Sequence, residues 1–373
     1  MSLGLQSVHE RIAVLDILRG FALFGILLVN MLDFSGSGLR ANTIGSRGNE
    51  LDQLVDVGII FFAVTKFYLL FSFLFGVGFA VQMRRMEANG KPFVGFYLRR
   101  LAILFGIGLA HSILIWQGDI LRMYALAGLL LLLCRHLPTR LLLGLAAIIA
   151  LSGVVILALA LNPATMSNLD AATTVPLFLN GIYGELVSYR LTHPYVPDIQ
   201  TAMILVMFIL GLVVGREGWL DQPARYLPFI RRWWLPALLI GLVGNVLLLV
   251  GFAEGQPLFI SLGVQVGAPA LSFAYLALVL MNADKLGWLA PVGQMALTGY
   301  LSHSLIFTTL FYGYGFGLYD QLAPTVTLLL AVAVFALQVI GSAAWMGRFR
   351  FGPVEWLWRT LTYGQLQPMQ HKA

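Results

Sequence analysis

The sequence predicts an all-α, polytopic transmembrane helical bundle of about ten spans with both termini cytoplasmic. Three features predict it: an apolar composition, apolar runs that recur along the chain, and a one-sided distribution of Lys and Arg. Of the 373 residues 59% are hydrophobic and only 11% are charged, and the mean hydropathy is +0.85. Soluble domains carry roughly 25% charge, so a water-soluble globular enzyme is excluded, as are disordered and fibrous chains. The apolar runs reach about 20 residues, enough to cross a bilayer. The single cysteine, Cys134, excludes a disulfide framework and a cysteine-based metal cluster; at the end of a leucine run it reads as small apolar packing.

Apolar runs bounded by turn and charge residues fall near 12–32, 56–82, 98–116, 119–134, 140–161, 199–215, 234–252, 258–281, 289–312 and 323–346. The first contains Asp16 and Arg19, is too long for a signal-peptide core and has no A-x-A-like site after it. It is therefore expected to remain as a membrane helix. The third and fourth meet at a tight turn around Gln117-Gly118. With the N-terminus inside, 17 of the 23 Lys and Arg fall in inner segments, against Arg40, Arg47 and Arg190 in outer ones. The net charge of +6 thus follows from topology and not from a nucleic-acid surface.

Residues 1–365 read as one transmembrane domain and 366–373 as a cytoplasmic tail. Two outer loops are long, 33–55 and 162–198. In the second, the semi-apolar stretch Val175 to Leu191 is interrupted by Asn180, Gly181, Gly184 and Glu185 and reads as an interfacial or re-entrant helix. Glu355-Trp356-Leu357-Trp358-Arg359 has the aromatic and basic pattern of an inner-interface helix, expected over 352–363. Phe75-Gly76-Val77-Gly78 and Phe105-Gly106-Ile107-Gly108 echo each other, as small residues at helix contacts do.

An ionisable side chain at mid-bilayer costs at least ~2.5–3.5 kcal/mol on insertion scales, so each needs a partner or a watery cavity. Asp16 and Arg19 are three apart on one helix face, one to two turns in from the cytoplasm. They form either a local ion pair or an anion contact through Arg19 oriented by Asp16, with Asn30 three turns further out. Lys66 lies near the midplane, where it is expected either to pair with Asp56 or Asp119 or to line a cavity. His111 falls in the outer half of the third span, close to Asp119, Arg122 and Tyr124 across the turn. A carboxylate bonded to one imidazole nitrogen makes the other a better base, so His111 and Asp119 form a candidate base and orienter. Arg122 has Asp119 as its alternative partner. In the ninth span Tyr300 and His303 share a face; they serve as interhelical hydrogen-bond groups or as a second wall of the His111 cavity. No soluble-enzyme motif and no metal-site spacing occurs, so no metal is expected.

Several stretches together resemble the YeiB-like, or DUF418, family of bacterial inner-membrane proteins. They are Arg11-Ile12-Ala13-Val14-Leu15-Asp16-Ile17-Leu18-Arg19-Gly20 through Asn30; Lys66-Phe67 with Leu70 to Gly78; His111 with Gly118-Asp119-Ile120-Leu121 and Tyr124-Ala125; Pro291 to Tyr300; and Gly352 to Arg359 with Leu361-Thr362-Tyr363-Gly364. The resemblance runs from residue 11 to about 365. It implies a multi-pass inner-membrane protein grouped with integral-membrane acyltransferases, which use a histidine and cytoplasmic acyl-CoA to acylate a carbohydrate or other acceptor. Those relatives carry the working histidine in or near the first span, whereas residues 12–65 here contain none. On that resemblance His111 or His303 must supply the base.

Two functions are therefore expected to compete. The first is acyl transfer from cytoplasmic acyl-CoA or acetyl-CoA to an acceptor hydroxyl or amine. His111, Asp119 and Lys66 would stand at the reacting centre, with Asp16, Arg19, Asn30, Arg122, Tyr124, Tyr300 and His303 binding substrate. Arg84, Arg85, Lys91, Arg99 and Arg100 with Arg19 would hold the CoA phosphates. The second is proton-coupled transport of a small anionic solute through the same groups. The expected partners are membrane lipids and a small-molecule or carbohydrate acceptor, and no nucleic acid.

Overall fold

Packing against neighbours, not local propensity, determines how these apolar segments are arranged, because lipid offers every helix the same apolar solvent. The computed structural model describes residues 6–36, 48–160, 171–193, 201–221 and 223–371. They form an all-α bundle, with no named strand among the described residues. In chain order the helices are α1 (Gln6–Phe34), α2 (Glu50–Phe62), α3 (Lys66–Ala88), α4 (Phe93–Leu114), α5 (Leu121–Cys134), α6 (Thr139–Ala160), α7 (Ala171–Asn180) and α8 (Tyr183–Thr192). They continue as α9 (Thr201–Arg216), α10 (Pro223–Glu254), α11 (Pro257–Leu262), α12 (Ala268–Met281), α13 (Ala290–Gln294), α14 (Ala296–Phe311), α15 (Pro324–Met346) and α16 (Pro353–Tyr363). Among the described residues seven segments are long and apolar enough to cross a membrane, and α5 and α9 are shorter apolar helices. Outward-facing Ile148, Val243, Leu329 and Leu337 are each more than half exposed. Apolar surface on that scale belongs against lipid or a partner, and the chain is a membrane protein.

Each of the ten predicted spans corresponds to a helix, but two of them are broken. The predicted 56–82 span divides at residues 63–65 into α2 and α3, with Thr65 in the left-handed region at φ 77. The predicted 289–312 span divides at Met295 into α13 and α14. The stretch predicted to be an interfacial or re-entrant helix is a pair of short helices, α7 and α8. Its Phe178 stacks on Tyr312 at 4.9 Å, which seats the pair beneath the far end of α14.

Two close approaches fix the centre. Gly76 of α3 and Gly211 of α9 touch backbone to backbone, leaving no room for a Cβ on either. Gly108 of α4 lies against Asp119 and the Arg122 amide, so α5 folds back tightly along α4. At one end of the bundle Asp16 and Gly20 of α1, the start of α4, α13 and α16 gather together. There the Arg100 guanidinium lies 3.6 Å above the Trp358 ring, while the Trp358 indole donates to the Arg100 carbonyl at 3.0 Å.

Candidate functional site

The hairpin of α4 and α5 builds the first half of the site. His111 falls one turn before the end of α4 and Asp119 just before α5, so the short connection brings them together. The Asp119 carboxylate is a pure acceptor, so the His111 Nδ1–H donates to its Oδ2, at 2.8 Å. Both side chains are essentially inaccessible. The other Asp119 oxygen accepts the Arg122 amide at 3.0 Å and faces the Arg122 guanidinium at 3.6 Å. His111 Nε2 has no hydrogen-bond partner among the described residues. The dyad thus leaves one imidazole nitrogen without a partner in a dry setting.

Two cavities flank this hairpin. The outer one, about 380 Å³, is lined by Asn30 and Asp33 of α1, Val64 and Thr65 of the helix break, Trp116, Asp119 and Tyr300. The inner one, about 290 Å³, is lined by Arg19, Gln82, Tyr97, Arg100, Tyr124, Gln294, Glu355, Trp358 and Arg359. Ile26, Ile120 and Tyr300 line both, so these three side chains form the wall that the two chambers share. The Tyr300 hydroxyl accepts the Ile120 amide at 3.4 Å, and its ring packs on His111 with centroids 5.3 Å apart.

The inner chamber is cationic. Arg19 holds Asp16 at 2.8 Å yet keeps a third of its side chain exposed. Gly78 opens beside it, its α-carbon facing only the Arg19 guanidinium. Glu355 is the one acidic side chain in the lining, and its oxygens are already committed to α14. They accept the Leu297 amide at 2.7 Å, the Thr298 amide at 3.0 Å and the Thr298 hydroxyl at 2.5 Å. Burial lowers the Arg359 guanidinium from its ordinary value, with like charge from Arg350 adding to the effect. The lining therefore favours an anion.

The predicted residues separate by cavity. Asn30, Asp119 and Tyr300 meet at the outer chamber, and Arg19, Tyr124 and Tyr300 at the inner one. Tyr124 donates to the Tyr68 carbonyl at 2.8 Å, which anchors α5 on α3. Lys66 lines neither chamber. Its ammonium donates to the Ile60 carbonyl at 3.1 Å, sealing the cut end of α2, and makes no ion pair with Asp56 or Asp119. His303 also lies away from His111, bonded to Gln338 of α15. Arg122 opens onto a separate, third cavity. Of the five basic residues expected to hold phosphates, only Arg100 lines the inner chamber. Arg359, Glu355 and Gln82 were missed as site residues; the aromatic and basic pattern of 352–363 was the available signal. No group of three or more His, Cys, Asp or Glu side chains among the described residues is arranged to hold a metal ion.

Comparison with known proteins identifies the family. The pattern of the family described as "Protein of unknown function (DUF418)" matches residues 214–365. The chain is 34% identical to "Uncharacterized protein YxaH" of Bacillus subtilis (strain 168), over 98% of this chain and 97% of that protein. This chain belongs to the DUF418 family. It is also 29% identical to "Uncharacterized protein YeiB" of Escherichia coli (strain K12), over 98% and 99% of the two chains. The DUF418 match covers α16, and with it Glu355, Trp358 and Arg359, but ends the comparison short of the His111 hairpin. That hairpin falls within the full-length similarity to YxaH and YeiB.

Proposed function

We propose that the chain is a membrane-embedded acyltransferase of the bacterial inner membrane. It takes an acyl group from cytoplasmic acyl-CoA and delivers it to an acceptor hydroxyl or amine in the outer chamber. One observation carries this reading: a cationic inner chamber and an outer chamber lined by Asp119, the hydrogen-bond partner of His111, share a wall only three side chains wide, while His111 itself stands behind Asp119 and the Tyr300 ring. Arg19, Arg100 and Arg359 supply the guanidinium forks that phosphates prefer. His111 Nε2 takes the proton from the acceptor O–H or N–H, and Asp119 holds the resulting imidazolium. The freed acceptor electron pair attacks the thioester carbonyl, the C–S bond breaks, and the departing CoA thiolate takes the proton back from the His111 imidazolium, which regenerates the base. For Nε2 to reach the acceptor the Tyr300 ring must move off the imidazole, which also opens the shared wall to the acyl chain.

Proton-coupled transport of a small anionic solute is the second reading. It is favoured by the break between α2 and α3, whose Val64 and Thr65 line the outer chamber, since interrupted helices often mark transport sites. Thermal unfolding of detergent-purified protein with CoA and acetyl-CoA separates the two. A ligand at 100 times its Kd adds about 2.7 kcal/mol. The enzyme reading expects a melting shift with CoA that Arg19→Ala or Arg359→Ala removes, and acetyl-CoA thioester cleavage that His111→Ala abolishes. Absence of any shift with either CoA species sinks it and moves the case to solute flux in vesicles.

A further inference from the structure

A third cavity, about 200 Å³, lies between α4, α5 and α8, outside both chambers. Arg122 and Arg190 both open onto it, together with Ser112 and Gln117. Arg190 is only 3% exposed. Its Nη1 donates to the Ile113 carbonyl at 3.3 Å, while its Nε and Nη2 have no hydrogen-bond partner among the described residues. No carboxylate pairs with it among those residues: its neighbours are tyrosines, with the Tyr314 hydroxyl as a neutral hydrogen-bond partner and the Tyr312 ring 5.9 Å away, and none of them supplies a formal negative charge. Among the described residues Arg122 has one counter-charge, Asp119, at 3.6 Å, beyond hydrogen-bond length and shared with His111. A buried guanidinium with idle donors is expensive, and the expense is relieved when an anion fills the space they face.

The border of the cavity indicates the kind of anion. Leu109 and Leu191 line it and are 40% and 59% exposed, so an occupant's remainder would meet an apolar, lipid-facing surface. We propose that this cavity is a binding site for an anionic, phosphate-bearing amphiphile. Arg190 and Arg122 hold the phosphate oxygens, and Leu109 and Leu191 contact its acyl chains. Two planar forks facing one space suit phosphate oxygens. The site does not depend on the acyl-transfer reading. Occupancy would, however, draw Arg122 from Asp119 and so leave His111 as that carboxylate's main partner.

The test uses the full-length protein in an uncharged detergent. Melting temperature is followed during titration with short-chain phosphatidylglycerol, with the matching diacylglycerol that lacks phosphate, and with inorganic phosphate. The expected result is a saturable rise with phosphatidylglycerol alone, with apparent affinity reduced at least tenfold in Arg190→Gln. Arg122→Gln, at a less buried position, gives the same comparison if Arg190→Gln fails to fold, and Arg190→Lys retains part of the affinity. An equal response to diacylglycerol overturns the anion site, and an equal response to inorganic phosphate overturns the amphiphile. Unchanged affinity in both Gln variants, or no saturable rise in the wild type, overturns the proposal altogether.

Discussion

Replacing Glu355 tests whether α16 is locked onto α14 by its carboxylate. Three donors converge on that group: the Leu297 amide, the Thr298 amide and the Thr298 hydroxyl. Thr298 reciprocates by accepting the Val354 amide at 3.1 Å. Removing the acceptor strands three donors at about 1 kcal/mol each, the low end of the range because the adjoining chamber can admit water, so Glu355→Ala should lose about 3 kcal/mol. With an unfolding entropy of about 2.1 cal/mol/K per residue over 373 residues, that corresponds to a melting temperature lower by about 4 °C. Glu355→Gln keeps an oxygen for the two amides and should lose about 1 kcal/mol or less. The pH dependence has a definite sign. Burial pushes the Glu355 carboxyl above its ordinary value, against the pull of its Thr298 and Leu297 hydrogen bonds. The folded chain therefore holds this proton more tightly than the unfolded chain does. The resulting stabilisation is complete below the ordinary carboxylate range and fades as pH rises through the folded value. Thermal melts of wild type, Glu355→Ala and Glu355→Gln between pH 4 and 8 check both points. Equal melting of wild type and Glu355→Ala, or an unchanged pH profile in Glu355→Gln, would refute the reasoning.

Further outcomes follow from single positions. Thr65→Gly removes a β-branched residue from the left-handed region and should stabilise by about 1 kcal/mol net of glycine's added chain entropy, seen as a higher melting temperature. Gly108→Ala puts a methyl within 2.7 Å of Asp119 and 2.8 Å of the Arg122 amide, so it should cost about 1–3 kcal/mol and abolish any His111-dependent turnover. Lys66→Met replaces a fully buried ammonium held by one carbonyl with an apolar side chain of similar length. It should be neutral or stabilising in a thermal melt and should leave CoA binding unchanged, whereas a lost CoA response would return Lys66 to the site.

What the sequence makes legible is local. Apolar run length locates the helices, and the eight residues from His111 to Asp119 bridge one tight turn, so their meeting can be read directly. Helix rotation is not local. Tyr300 and His303 are three apart and so differ by about 60° around the axis. That angle is enough to send Tyr300 toward His111 and His303 toward Gln338. The break at 63–65 carries no Gly or Pro, and Lys66 looks like a midplane cation that must pair with a carboxylate or line a cavity. In the fold it closes a helix end that the sequence does not announce. The third guanidinium of the inner chamber, Arg359, comes from 340 residues beyond Arg19, and no spacing rule links the two.

That separation bears on how the protein is made. Chains enter the bilayer from the N-terminus, so α1 and α4 are inserted long before α16 is synthesised. Until then Arg100 lacks the Trp358 ring and the start of α14 lacks its Glu355 cap. The inner chamber is therefore among the last parts of the molecule to form. A chain stopped just before Pro353 would span the bilayer with a gap where its cationic chamber should be, and membrane quality control would meet it as an inserted but unfinished protein.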